Sequence, residues 1–167
     1  LSMVMGLKHC QEETLILDGD VLYPPGALVS YVQKAKRSSF ALVPADINDA
    51  ECAKVLLNPS GTINAFITKR ALTEEEKSGF GFGGEAIGFF MLLQEDVPRF
   101  VDLYEKDEPT YRPVLWEIPF TEFARSTSLH PWNVVEEGCF EIDTQEDYAI
   151  ALNRFQSHPD EYQLPKL

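Results

Sequence analysis

Leu15-Ile16-Leu17-Asp18-Gly19-Asp20 is a short apolar run that ends in two carboxylates separated by a glycine. Apolar runs bounded by turn residues form buried strands, and ligands of open α/β sheets bind at the carboxyl ends of such strands. Residues two apart in a strand face the same way, so Asp18 and Asp20 converge, and Gly19 lets a ligand approach the backbone. Two neighbouring carboxylates repel each other unless a cation relieves them. Hard oxygen donors of this kind suit Mg²⁺ or Mn²⁺ carrying a phosphate substrate. The same three residues also fit a turn that only caps and bends the chain, and both readings stay open on these residues alone.

Working outward, the period of the apolar residues changes repeatedly, which is the pattern of an α/β domain. After Tyr23-Pro24-Pro25-Gly26, the residues Leu28, Val29, Val32 and Ala35 recur at helical spacing. Residues 39–43 read as the next strand. Residues 55–57 and 62–68 flank Asn58-Pro59-Ser60-Gly61, which joins them as a hairpin and makes the sheet mixed. Residues 73–84 are an acidic, glycine-rich connection, and the strand-like apolar run 86–93 follows. A helix with Val97, Phe100, Val101 and Tyr104 on one face comes next, then a helix over 115–125 provided that Pro119 sits in its first turn. Residues 132–135 and 139–142 read as short strands and 144–156 as a helix, opened by a capping box of Thr144 and Asp147. The domain spans 1–157, with a surface tail over 158–167.

The chain has 167 residues, 27 acidic and 14 basic, for a net charge of -13. With 44% apolar residues it can bury a core without disulfides or a structural metal, which excludes disorder of the whole chain. The acidic surface repels phosphate backbones and anionic lipid, so no nucleic acid and no membrane is expected as a partner. The one basic cluster, Lys34, Lys36 and Arg37, fits the C-terminal end of a helix. Cys10, Cys52 and Cys139 are isolated, which points to reduced thiols and a cytoplasmic setting, and the three histidines are equally scattered. The longest apolar run is far short of the roughly 20 residues of a membrane span. The start at Leu1, directly into apolar residues, reads as a cut end. Patterns for zinc proteases, serine hydrolases, CxxC redox proteins and P-loop NTPases are absent. Gly79, Gly81 and Gly84 satisfy G-x-G-x-x-G, but no strand precedes them and no helix follows, so a dinucleotide site is rejected and a mobile loop bordering a site is expected instead.

A second acidic run, Phe140-Glu141-Ile142-Asp143-Thr144-Gln145-Glu146-Asp147, again leads from a strand into carboxylates. Helix capping and the helix dipole account for Thr144, Glu146 and Asp147. Glu141 and Asp143 precede the helix and are placed to complete a metal site with Asp20.

Together with Thr68-Lys69, the segment Gly84-Glu85-Ala86-Ile87-Gly88-Phe89-Phe90 and Trp116-Glu117, these stretches stand in an order that resembles the nucleotidyltransferases making nucleoside-diphosphate sugars and related activated alcohols. The resemblance runs from about Leu15 to Asn153 and is nearest to the cytidylyltransferases of phosphocholine, 2-aminoethylphosphonate or inositol phosphate. It implies a Rossmann-like fold with a mixed, mostly parallel central sheet and helices on both faces. It further implies Mg²⁺-dependent transfer of a nucleotidyl group from a nucleoside triphosphate to a small phosphorylated acceptor, with release of pyrophosphate. Asp20 and Asp143 resemble the metal ligands of that family, and Lys69 resembles the lysine on the acceptor phosphate. Gly84, Glu85 and Gly88 lie in the segment bordering the acceptor, with Asp18 and Glu141 beside them. Glu117 is placed either on an exposed helix face or as a pocket acid for a cationic head group.

One departure accompanies these matches. The family opens with a strand and a G-x-G-x-R loop that holds the triphosphate, and only 17 residues without such a loop precede Asp18. The fold is therefore expected to be incomplete at its N-terminal side, inactive alone, and paired along an exposed edge with a missing segment or a second copy. Two other readings compete: a metal-dependent glycosyltransferase using Asp18-Gly19-Asp20 as an Asp-x-Asp motif, and a non-catalytic regulatory module of the same fold.

Overall fold

The computed structural model describes residues 1–134 and 139–163, with Phe140 by its backbone alone. Val135, at the end of an expected strand, lies outside the described residues. A six-stranded sheet forms the middle layer. Its path runs β5 (Ile63–Ile67), β4 (Lys54–Leu57), β6 (Gly81–Leu92), β3 (Ser39–Val43) and β7 (His130–Asn133), and β1 (Thr14–Leu17) also pairs with β6. Strands β1, β3, β4 and β7 run one way and β5 and β6 the other. Because β6 sits in the centre, only β3 with β7 is a parallel pair, and the other four pairings are antiparallel. The sheet is mixed, as expected, but its pairings are mostly antiparallel rather than mostly parallel.

Helices cover both faces. On one, α1 (Ser2–Leu7), α4 (Asp96–Lys106) and α6 (Glu117–Ala124) bury Val4, Leu7, Phe100, Phe120 and Phe123 against Phe40, Val55, Phe66 and Phe90 of the sheet. The rings of Phe100 and Phe120 stack with centroids 3.9 Å apart. The inward face of α4 carries the expected Val97, Phe100, Val101 and Tyr104, and Pro119 lies in the first turn of α6, where no intrahelical N–H is lost. On the other face, α2 (Pro25–Lys34) buries Ala27 and Tyr31, with Ala35 just beyond, against Ile87, Phe89 and Met91. This corrects half of the expected face: Ala35 is buried and Leu28 packs beside the core as expected, but Val29 and Val32 are exposed, and Ala27 and Tyr31 pack in their place, with the Tyr31 hydroxyl donating to the Ser39 carbonyl at 2.6 Å.

The glycine-rich segment is not a loop. Helix α3 (Glu74–Gly79) starts at a capping box of Thr73 and Glu76, and β6 then runs unbroken from Gly81 through the glycines to Leu92. Glycine is required where backbone crosses backbone: at Gly84, with φ 115°, an added Cβ would lie 2.3 Å from the Val43 carbonyl oxygen. A short α5 (Glu108–Tyr111) connects α4 to α6. The ribbon of β2 (Val21–Leu22) with β8 (Phe140–Glu141) leads into α7 (Gln145–Ser157), capped reciprocally by Thr144 and Asp147. A 3-10 turn at Pro159–Tyr162 follows on the surface, with Tyr162 against Phe155.

Candidate functional site

Strands β1 and β4 share one edge of β6 but pair with different parts of it. β1 takes Phe89 to Leu92 and β4 takes Gly81 to Glu85, so the sheet has a notch at residues 86–88. The chain leaves β1 into this notch. The Asp18 N–H donates to the Gly88 carbonyl at 2.7 Å, and from the β4 side the Ala86 N–H donates to the Ala53 carbonyl at 3.0 Å. Gly88 has φ 69°, and an added Cβ would lie 2.8 Å from Asp18 Oδ2. Trp116, stacked on Phe40 and tilted against Phe90, sits at the edge of the core where its side chain favours the charged form of Asp18.

Beyond Asp18, Gly19 and Asp20 make the turn into β2. The β2–β8 ribbon, closed by the Ile142 N–H donating to the Asp20 carbonyl at 2.9 Å, sets the Asp20 turn beside Asp143. Asp18, Asp20, Glu85, Glu117, Glu141, Asp143 and Lys69 all line one cavity of about 1080 Å³. Lys69 follows β5 in a left-handed conformation, φ 55°. Of the expected residues, two glycines stand apart: Gly88 packs beneath Asp18, and Gly84 borders a smaller cavity of about 600 Å³ with Leu42 and Phe82.

The wall of the main cavity carries nine carboxylates and, among the described residues, one basic side chain, Lys69. Their mutual influence is visible in the acids. Partial desolvation and then Asp143, Glu85, Asp20 and Asp18 push the Glu141 carboxyl up to about 7. Burial raises Asp18, with Asp20 adding to it, and burial likewise raises Glu85 and Glu117. Glu117 is 93% buried, and its Oε2 has no hydrogen-bond partner. Among the described residues no group of three or more His, Cys, Asp or Glu is gathered tightly enough to hold a metal. Asp20 and Asp143 both line the cavity, and two carboxylates completed by waters and substrate phosphates are a donor set of the kind Mg²⁺ accepts.

Sequence reasoning missed the β3–β4 loop, which brings Asp49, Glu51, Cys52 and Ala53 to the cavity. Its anchor is Lys54, fully buried, whose Nζ donates to the carbonyls of Asp49 and Cys52. The signal was present in the acidic stretch Asp46 to Glu51, which a turn explains equally well. No helix among the described residues is long and apolar enough to cross a membrane.

No protein-family model matches the chain, and no curated protein matches it. Solved structures do. The CTP:phosphocholine cytidylyltransferase from Streptococcus pneumoniae superposes with a TM-score of 0.64 at 11% identity over 91% of this chain and 61% of that one. An apo UDP-glucose pyrophosphorylase gives 0.69 at 13% identity over 95% and 59%. The UTP-bound UDP-glucose pyrophosphorylase from Acinetobacter baumannii gives 0.65 at 11% identity over 96% and 57%. The chain spans about three fifths of the length of these structures, and across that length it has the fold of the nucleotidyltransferases.

Proposed function

We propose that the protein is the metal- and acceptor-binding part of a nucleotidyltransferase, one that transfers a nucleotidyl group, cytidylyl by preference, to a phosphorylated amino alcohol with release of pyrophosphate. The observation that supports this reading is that Asp20, Asp143 and Lys69, from three separate segments, line one cavity in a fold shared with nucleotidyltransferase structures. In-line attack of an acceptor phosphate oxygen on an α-phosphate needs positioning and charge neutralisation more than a protein nucleophile. Asp20 and Asp143 would hold Mg²⁺, which when bound neutralises charge on the phosphates. Lys69 would contact the acceptor phosphate, with Asp18 on the same cavity wall, its backbone N–H fixed on the Gly88 carbonyl.

The acceptor class follows from charge. With nine carboxylates against one lysine, a purely anionic acceptor is disfavoured even after one divalent ion is counted. Glu117 and Trp116 side by side on the cavity wall give an acid and an aromatic face for an ammonium head group, which favours a choline- or ethanolamine-like acceptor over a neutral sugar. The triphosphate side is assigned to polypeptide completing the sheet along the second edge of β1, which bears no strand among the described residues and leaves Leu17 40% exposed.

Isothermal titration tests the reading without requiring turnover. Phosphocholine should bind with an affinity that depends on Mg²⁺, and Asp20→Asn should remove that dependence. Binding unaffected by Asp20→Asn would discard the metal assignment. Mg²⁺-dependent binding of a sugar nucleotide instead would favour a glycosyltransferase, and no affinity for any phosphorylated ligand would leave a non-catalytic module.

A further inference from the structure

We infer that Glu51 is a positioning residue that holds Lys69 away from phosphate until an acceptor displaces it, an inference that rests on Lys69 being the acceptor-phosphate contact. Lys69 Nζ lies 3.3 Å from Glu51 Oε2, an ion pair across the cavity between the β3–β4 loop and the end of β5. Both partners line the cavity. Exposed pairs between flexible side chains are usually incidental, but here each backbone is fixed. On one side Lys69 sits in the left-handed region, a backbone conformation rare for a residue with a Cβ, while the two side chains themselves are largely exposed, 63% and 80%. On the other, Glu51 is flanked by the two carbonyls that buried Lys54 grips, those of Asp49 and Cys52. The Glu51 N–H itself donates to Asp49 Oδ1 at 2.8 Å.

The consequence is a competition. Lys69 is the one basic side chain on the cavity wall among the described residues, so an entering phosphate has to take it from Glu51. A small anion that gains only that contact gains little, whereas an acceptor that also fills the rest of the cavity recovers the loss. Glu51 thereby sets the site against free phosphate without touching the reacting atoms.

The test titrates inorganic phosphate at fixed Mg²⁺, with no nucleotide present, into the wild type, Glu51→Gln, Glu51→Asp and Lys69→Gln. Freeing Lys69 should tighten phosphate about two- to fivefold in Glu51→Gln, the worth of an exposed ion pair. Glu51→Asp should behave likewise, since it keeps the charge but loses the reach, and Lys69→Gln should lose binding. Affinity in Glu51→Asp equal to wild type would mean that only the local field matters and would overturn the inference. Absent phosphate binding in Glu51→Gln, or binding retained in Lys69→Gln, would overturn it as well. A protein that shows this pattern but transfers no nucleotidyl group would refute the proposed reaction and leave the Glu51 contact standing.

Discussion

Replacing Gly88 with alanine should separate the integrity of the site from that of the fold. The residue sits at φ 69°, and its new methyl would meet Asp18 Oδ2 at 2.8 Å, Asp18 Cβ at 2.9 Å and Asp18 Cγ at 3.2 Å. A non-glycine residue in the left-handed region costs about 1–2 kcal/mol, and forcing a carbon into filled space adds about 1–3 kcal/mol. The total of about 2–5 kcal/mol does not exceed the 5–15 kcal/mol typical of a domain, so Gly88→Ala should fold with a lowered urea midpoint. The oxygen end of Asp18 can swing, but its Cβ is tied to a backbone whose N–H bonds the Gly88 carbonyl, so the acid must shift from its position on β6. A double-mutant cycle with Asp18→Gly isolates the clash: removing the Asp18 side chain should relieve about 1–3 kcal/mol of the alanine's cost and leave the backbone strain. Gly84→Ala is the contrast, because its methyl would meet a carbonyl oxygen in the middle of the sheet at 2.3 Å and should prevent folding. A Gly88→Ala protein as stable as wild type, or a cycle without coupling, would refute the close packing of Asp18 on β6.

Two further outcomes follow from the same groups. Asp18, Glu85, Glu117 and Glu141 all have carboxyls raised in the folded state, Glu141 to about 7, so between about pH 4.5 and 7 the native protein binds more protons than the unfolded chain. Stability should therefore fall as pH rises through that window in metal-free buffer, and thermal melts should show a shallower slope for Glu141→Gln. Solvent around Glu141 limits its own share to about 1 kcal/mol or less. A melting temperature that climbs across the window would contradict the acid cluster. Glu76 and Asp147, whose carboxyls are lowered by Arg70 and Thr144, act in the opposite sense and only in more acidic solution. For the β3–β4 loop, Lys54→Met removes the buried ammonium from the Asp49 and Cys52 carbonyls and should cost about 1–3 kcal/mol, with faster proteolytic cleavage between Pro44 and Ala53. Unchanged cleavage would show that the loop does not depend on this anchor.

Where the chain repeats a strong period, the fold could be read directly: the α4 face, the β4–β5 hairpin and the Thr144 cap all stand where the pattern puts them. The second half of β6 was legible as the apolar run 86–93, but its start was hidden because Gly81, Gly83 and Gly84 carry a loop signal locally. They are tolerated in a strand because the neighbouring backbone at Val43 comes too close for a side chain at Gly84. The α2 face was misread because β-branched residues weigh more in a hydropathy pattern than alanines do, whereas close packing on the sheet favours the alanines beside Tyr31. The two acidic runs were legible as candidates. That they belong together was expected too, but the ribbon that joins them was not, since two residues per strand are too short to have a period.

The chain has two tryptophans, and the sheet separates them. Trp116 lies on the cavity face against Phe40, Phe90 and Asp18, and Trp132 on the opposite face against Tyr31. The molecule thus carries one intrinsic fluorophore per layer. Trp116→Phe or Trp132→Phe leaves an emission signal belonging to a single side of the sheet, so ligand entry into the cavity and loosening of the α2 layer can be followed as separate optical events in an unlabelled protein.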